Sequence, residues 1–186
     1  MDRRCLTPPC TTDRIPLARR AERSFRAELH VTDRFLIRPA DERDCKFIAE
    51  LVPSLLEFGS PAWDDAAAFA PGFRDALVRA VRAQGPQSAV LVAEAAERTP
   101  IGFISLKAGR DAVGAARGHV ADLAVIPDAR RNGVGTALME AGEAWARDHG
   151  LPALSLDVWS TNKRALAFYQ RLGYFAESLC LIKPVN

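Results

Sequence analysis

Apolar side chains along the chain alternate between a spacing of two residues and a spacing of three to four. The two-residue pattern predicts strands at 34–39, 88–95, 100–108, 118–126 and 154–159, with a closing strand at 174–184. The three- to four-residue pattern predicts helices at 40–58, 65–84, 133–148 and 162–172. Proline is expected to split the first helix at Pro53 and to interrupt the second at Pro71. This order of elements predicts one α/β domain with a mixed sheet.

Residues 1–30 differ from the rest of the chain because they are rich in arginine and contain few large apolar side chains. A narrow apolar stripe through Leu17, Ala21, Phe25 and Leu29 is typical of a transient helix. We therefore expect a mobile N-terminal extension, and docking onto a partner copy in a homodimer is the alternative. The compact domain is expected to span residues 31–186.

Composition removes several classes of function. The 186 residues include 25 basic and 23 acidic side chains, and a net charge of +2 does not favour nucleic acid as a partner. No run approaches the roughly 18 apolar residues that a membrane span requires. Four isolated cysteines and three scattered histidines do not form a metal-ligand pattern. Without an apolar signal segment, the chain is expected to be cytoplasmic, with reduced thiols and no bound metal.

The strongest chemical signal follows the strand that ends near Val125. Two arginines and two glycines occur there at the start of a predicted helix, in the run Arg130-Arg131-Asn132-Gly133-Val134-Gly135-Thr136. A helix start presents unpaired N–H groups and the positive end of the helix dipole, and glycine lets an anion approach the main chain. A dinucleotide fingerprint would need a third glycine at Leu138, and a nucleotide P-loop would need Gly-Lys-Ser/Thr. The sequence therefore predicts a phosphate site of another kind.

A second element begins about thirty residues later. Asn162 is followed seven residues on by Tyr169 and then by Gly173-Tyr174. Seven residues make about two helical turns, so Asn162 and Tyr169 are expected on one helix face.

Together the two elements resemble those of the GNAT (GCN5-related) N-acetyltransferase superfamily, over roughly residues 34–185. The resemblance implies a mixed, mostly antiparallel sheet flanked by helices, with strands that splay apart at the acetyl-CoA site. It implies that the Arg130–Thr136 loop and Asn162 hold coenzyme A, and that Leu123, Ala124 and Val125 offer main-chain groups to its pantetheine arm. It also implies direct attack of a primary amine on the thioester in a ternary complex, with Tyr169 protonating the departing thiolate.

The resemblance does not identify the group that accepts the proton of the amine. Relatives often have Glu-Asp-Leu in this strand, whereas this chain has Ala121-Asp122-Leu123, so alanine stands at the position of the usual glutamate. Strict strand alternation would place His119, Leu123 and Val125 on one face and Asp122 on the other. We therefore select His119 as the candidate base, because histidine titrates near neutral pH. A water relay to a distant carboxylate remains open. A covalent route through Cys45 or Cys180 is disfavoured, since neither has a basic partner nearby in sequence.

The acceptor is expected to be a small-molecule or peptide amine, and the sequence leaves its identity and the acyl-chain preference open. The resemblance places its pocket around the first two helices and the segment 57–65. There, Trp63 with Asp64 and Asp65 would suit a cationic amine, whereas a hydrophobic plug with a capping aspartate is the alternative. The rival function is a non-catalytic GNAT-like module that binds acyl-CoA as a sensor. The presence of Tyr169 and the glycine loop disfavours this rival.

Overall fold

The computed structural model describes residues 34–57, 66–111 and 113–183. The N-terminal extension and the predicted acceptor segment around Trp63 lie outside these residues. The described strands are β1 (Phe35–Pro39), β2 (Ser88–Ala95), β3 (Pro100–Arg110), β4 (Ala116–Val125) and β5 (Leu154–Leu156). The described helices are α1 (Cys45–Glu50), α2 (Val52–Leu56), α3 (Ala66–Arg82), α4 (Val134–Asp148) and α5 (Lys163–Arg171).

The five strands form one mixed sheet in the order β1-β2-β3-β4-β5. The pairs from β1 to β4 are antiparallel, whereas β4 and β5 run parallel. This arrangement confirms the predicted α/β class and its mostly antiparallel sheet.

Helices cover both faces of the sheet. On one face, α4 buries Leu138, Met139 and Trp145 against Ile104 and Leu106. On the opposite face, the α1–α3 helices bury another apolar cluster around Ile48, Val52, Leu77, Val92 and Phe103. We call these the α4 face and the α3 face of the sheet. No helix in the described residues is long and apolar enough to cross a membrane.

Proline has different effects in the two helical segments before β2. The predicted first helix is divided at Leu51, just before Pro53, and Asp41 with Asp44 forms a capping box ahead of it. The predicted interruption at Pro71 is wrong, because α3 continues through that residue. One interior proline removes one helical hydrogen bond, and the burial of Leu77 and Val81 further along α3 offsets that cost.

Two predicted strands near the C-terminus are shorter than expected or absent. β5 ends at Leu156 rather than Trp159. Residues 174–183 form no strand, so the predicted closing strand is not observed there. The main chain of this segment forms no ladder of hydrogen bonds with a neighbouring strand. Its apolar side chains Phe175, Leu179 and Leu181 are exposed. An ion pair between Arg117 and Glu177 nevertheless ties the segment to the start of β4.

A β-bulge interrupts β4 at Ala121. Ser105 of β3 is opposite Asp122, while the next β3 residue, Leu106, is opposite Val120, so Ala121 is the extra residue. Val120 and Leu123 consequently both contribute to the α4-face core. The predicted alternation is therefore wrong beyond Val120: Asp122 shares the α3 face with His119, whereas Leu123 and Val125 lie on the α4 face.

Candidate active site

A fork between β4 and β5 leaves one edge of β4 open. The two strands pair only from Gly118–Val120 to Leu154–Leu156. From Ala121 to Val125 that edge has no strand partner in the described part of the chain, while the opposite edge remains paired with β3. Such an edge presents unpaired N–H and C=O groups to any extended ligand that enters the fork. Leu123, Ala124 and Val125 all line this open section.

The glycine loop connects the open edge to α4. Arg131 and Gly133 have φ angles of 63° and 82°, so the main chain turns sharply before the helix begins at Val134. At Gly133, a Cβ would meet nothing within 4 Å, which leaves the approach to the helix start open. The Val134 side chain is buried, so only the main-chain N–H of Val134 is available to a ligand at the helix start. Asn132 contacts the Asp128 carbonyl through its Nδ2 at 3.5 Å.

The two arginines of the loop occupy different environments. Arg130 donates from Nε to the Val125 carbonyl at 3.0 Å, which fixes the loop against the end of β4. Arg131 is exposed. Positive side chains and the unpaired N–H groups of α4, which include that of Thr136, therefore converge beside the open strand edge.

Gly135 also lies at the contact between α4 and α5. A Cβ there would lie 3.4 Å from Cζ of Phe168, so this glycine allows α4 and α5 to approach closely. The Asn162 side chain caps α5 by accepting a hydrogen bond from the Ala165 N–H at 3.0 Å. Its Oδ1 is thus occupied, whereas its Nδ2 is left for other contacts.

Tyr169 lies near the end of α5, where its ring packs between those of Phe168 and Tyr174. Burial raises the pKa of its phenol to about 12, which keeps the hydroxyl protonated at neutral pH. No described residue hydrogen-bonds to this hydroxyl. A protonated donor is therefore held in an apolar environment.

His119 lies at the base of the fork, opposite Ser155 of β5. The Ser155 hydroxyl oxygen lies 3.2 Å from His119 Nδ1 and 3.1 Å from the Gly118 carbonyl oxygen. When the hydroxyl donates to Gly118, its oxygen accepts from Nδ1, and a neutral imidazole then has its lone pair on Nε2. Nε2 lies 3.8 Å from the exposed Asp157 carboxylate, which can stabilise an imidazolium.

Asp122 is a site residue that the sequence argument missed. The bulge brings it onto the same face as His119, where Ser105 hydrogen-bonds to its carboxylate. Burial raises its pKa from 3.8 to about 6, against the opposing effects of Lys107 and Ser105. No glycine or proline marks the bulge in the sequence, so only the pairing register reveals it.

Within the described ranges, no group of three or more metal-ligating side chains occurs.

Comparison with known proteins identifies the family. The model of the acetyltransferase (GNAT) family matches residues 48–174, which is more than half of the chain. The chain belongs to this family. It is therefore an acyltransferase enzyme, and acetyl-CoA is the co-substrate that the family uses.

Individual relatives agree with this assignment. The chain is 36% identical over 103 residues to an aminoglycoside N(6')-acetyltransferase type 1 of Klebsiella aerogenes, covering 53% of this chain and 68% of that protein. It is 32% identical over 139 residues to an uncharacterised N-acetyltransferase of Bacillus subtilis, covering 74% of this chain and 88% of the relative.

Among solved structures, a putative acetyltransferase from Pyrococcus furiosus superimposes with a TM-score of 0.67 at 22% identity. The match covers 81% of this chain and 99% of that structure, and it supports the fold.

Proposed function

We propose that this GNAT enzyme transfers the acetyl group of acetyl-CoA to a primary amine by direct attack in a ternary complex. The observation that carries this proposal is the junction of the open β4 edge with the start of α4. Pantetheine would lie along Leu123–Val125, and the pyrophosphate would meet Arg131 and the N–H groups around Gly133–Thr136. Asn162 would contribute its free Nδ2.

The transfer requires one bond to form and one to break. The amine nitrogen attacks the thioester carbonyl carbon, the C–S bond breaks, and coenzyme A leaves as a thiolate. The thiolate takes a proton from Tyr169, whose hydroxyl has no hydrogen-bond partner among the described residues. A main-chain N–H near Val125 would stabilise the negative charge that develops on the carbonyl oxygen.

His119 Nε2 would take the proton that the amine releases. The tautomer in which Nδ1 donates to Ser155 leaves the lone pair on Nε2 and would suit this role, and Asp157 would stabilise the resulting cation. Asp122 supplies a nearby buried carboxylate for the alternative relay through water. We place His119 first because its side chain is 36% exposed, whereas Asp122 is largely buried.

The proposal is tested by free-thiol release from acetyl-CoA with a panel of primary amines. Tyr169→Phe should lower kcat by about 10²-fold or more with little change in acetyl-CoA affinity, because proton donation is needed only along the reaction path. Calorimetry gives the affinity, and Tyr174→Phe provides a matched loss of a hydroxyl from the neighbouring ring, which packs against Tyr169. Normal kcat in the Tyr169 variant, with chemistry rate-limiting, would show that Tyr169 serves packing alone.

A second test removes the positive charge of Arg131 from the glycine loop. Arg131→Gln should weaken acetyl-CoA binding, and the defect should shrink at high salt because the interaction is between exposed charges. Arg74→Gln removes an exposed arginine from α3, on the opposite face of the sheet from α4, and should leave binding unchanged. Equal affinity in both variants would remove the loop from the cofactor site.

A further inference from the structure

A cavity on the α3 face lies between α3 and the strands β2 and β3. Its volume is about 330 Å³. Its floor includes Ser105 and Val90, its wall includes the small side chains Ala80 and Ala83, and two cationic residues, Arg79 and Lys107, line it from opposite sides. Small side chains leave space between the helix and the sheet, so the two long cations can reach a molecule held there.

The two cations differ in what balances their charge. Arg79 forms no hydrogen bond or ion pair with any described residue, and Asp75, one turn before it on α3, does not pair with it. Lys107 forms no ion pair with a described residue either, but its charge acts on the Asp122 carboxylate and lowers the pKa of that group. Arg82, by contrast, pairs with Glu42, and Arg117 pairs with both Asp111 and Glu177. Arg79 is thus available to an anion from outside the chain, and Lys107 can bind the same anion because no hydrogen bond within the described residues holds its ammonium group.

The cavity connects to the candidate catalytic groups through the pairing of β3 with β4. Ser105 of the cavity floor is opposite Asp122, and Lys107 is opposite His119. Neighbouring strands are about 4.8 Å apart, so the floor lies roughly one to two strand spacings, about 5–10 Å, from β4. A ligand in the cavity could therefore extend an amine several bonds long toward the fork while its other end meets the two cations.

We propose that this cavity binds the acceptor and that the preferred acceptors carry an anionic group, carboxylate or phosphate, several bonds from the amine. Arg79 and Lys107 recognise the anion, and the amine is directed across Ser105 toward β4. The inference rests on the proposed amine acetylation and adds the chemical class of the acceptor. Carboxylate and phosphate are the anions that guanidinium and ammonium groups bind most readily in proteins.

The experiment measures thiol release from acetyl-CoA with matched amines. Pentylamine, cadaverine and δ-aminovalerate share one chain length but end in a methyl, an ammonium and a carboxylate. Ethanolamine and phosphoethanolamine give the corresponding comparison for phosphate. We expect kcat/KM to be highest for the anionic member of each set, and calorimetry on the complex with coenzyme A to show the same order. The set of amines in which the anionic member has the larger advantage in kcat/KM shows whether the cavity prefers a carboxylate or a phosphate.

Variants connect the preference to the two cations. Arg79→Gln and Lys107→Gln should each raise the KM for the preferred anionic amine by about 10-fold or more, as expected for loss of a charge-assisted hydrogen bond. The KM for pentylamine and for acetyl-CoA should change little. Arg74→Gln is the matched control, since Arg74 is an exposed arginine of the same helix that does not line the cavity.

The inference is overturned if the anionic amines neither bind nor react better than their neutral counterparts, or if the Gln variants keep the wild-type preference. If the enzyme turns over but prefers pentylamine or cadaverine, the inference about an anionic acceptor is wrong, and the proposed amine acetylation stands. If no amine is acetylated although acetyl-CoA binds, both the proposed amine acetylation and this inference are wrong.

Discussion

At the scale of single residues, the bulge at Ala121 decides which side chains meet. It adds one residue to β4, so Asp122 shares a face with His119, and Leu123 lies on the face opposite His119. The sequence motifs were sufficient to identify the glycine loop, because glycine at a basic helix start has a direct physical meaning. They were insufficient for Asp122, because the residues around Ala121 would fit a regular strand equally well.

The buried Asp122 carboxylate should make stability depend on pH. Its pKa is 3.8 in ordinary surroundings and about 6 in the fold, so the folded state binds more protons than the unfolded state between these values. Folding stability should therefore fall as pH rises through this window, by up to about 3 kcal/mol.

Asp122→Asn should remove this dependence, because the amide keeps a partner for Ser105 and carries no charge. Denaturant unfolding should show the variant to be more stable than the wild type at pH 8, with the difference narrowing toward pH 4. A difference that is the same at both values would mean that the Asp122 charge is not the cause.

The pH dependence of catalysis should distinguish the two candidate bases. If His119 Nε2 takes the amine proton, kcat/KM should rise with pH as the imidazole is deprotonated. His119→Ala should remove that inflection and slow transfer by about 10²–10⁴-fold, while Asp122→Asn keeps the inflection. If Asp122→Asn removes it instead, the carboxylate relay is the better account.

The hydrogen bond between Ser155 and His119 provides a further test of His119 as the base. Ser155→Ala removes the hydroxyl that contacts Nδ1; if this contact holds the Nδ1–H tautomer, kcat should fall with little change in acetyl-CoA affinity. Ser178→Ala changes an exposed serine of the C-terminal segment and serves as the control. Unchanged kcat in the Ser155 variant would show that the hydrogen bond does not orient the imidazole for catalysis.

At the scale of elements, the site depends on where strands stop pairing and where helices meet. Apolar periodicity predicted β1 to β4 and the four main helical segments because each buries a continuous stripe or face. It overestimated β5 and predicted a strand at 174–184, since apolar alternation alone does not provide a pairing partner. The early end of β5 is the feature that opens the fork.

The contact between α4 and α5 should be sensitive to volume at Gly135. Gly135→Val would press against the Phe168 ring and should lower the free energy of unfolding by about 1–3 kcal/mol through overpacking. The Phe168→Ala change should recover part of that loss in the double variant, which thermal unfolding can measure. Strictly additive losses would show that the two residues do not compete for the same space.

At the scale of the whole molecule, one sheet separates two layers of helices, and the fork between β4 and β5 is part of that sheet. The α4 layer carries the loop proposed for acetyl-CoA, and the α3 layer carries the cavity proposed for the acceptor. β3 and β4 contribute residues to both layers, because alternate side chains point to opposite faces. The two proposed substrates would therefore approach the fork from opposite faces and meet at the open edge of β4.

Residues 1–30 precede β1 and differ in composition from the rest of the chain, which predicts that they are dispensable for folding and for acetyl-CoA binding. Phe35 and Ile37 of β1 are buried against α4, and all five β1 residues pair with β2. A truncation that starts at Val31 keeps these contacts, so its melting temperature and its acetyl-CoA affinity by calorimetry should match those of the full chain. A truncation that starts at Ala40 removes β1 and should be strongly destabilised, since it removes the core side chains Phe35 and Ile37 and exposes the edge of β2. Lost affinity in a folded Val31 variant would instead make the extension part of the cofactor site.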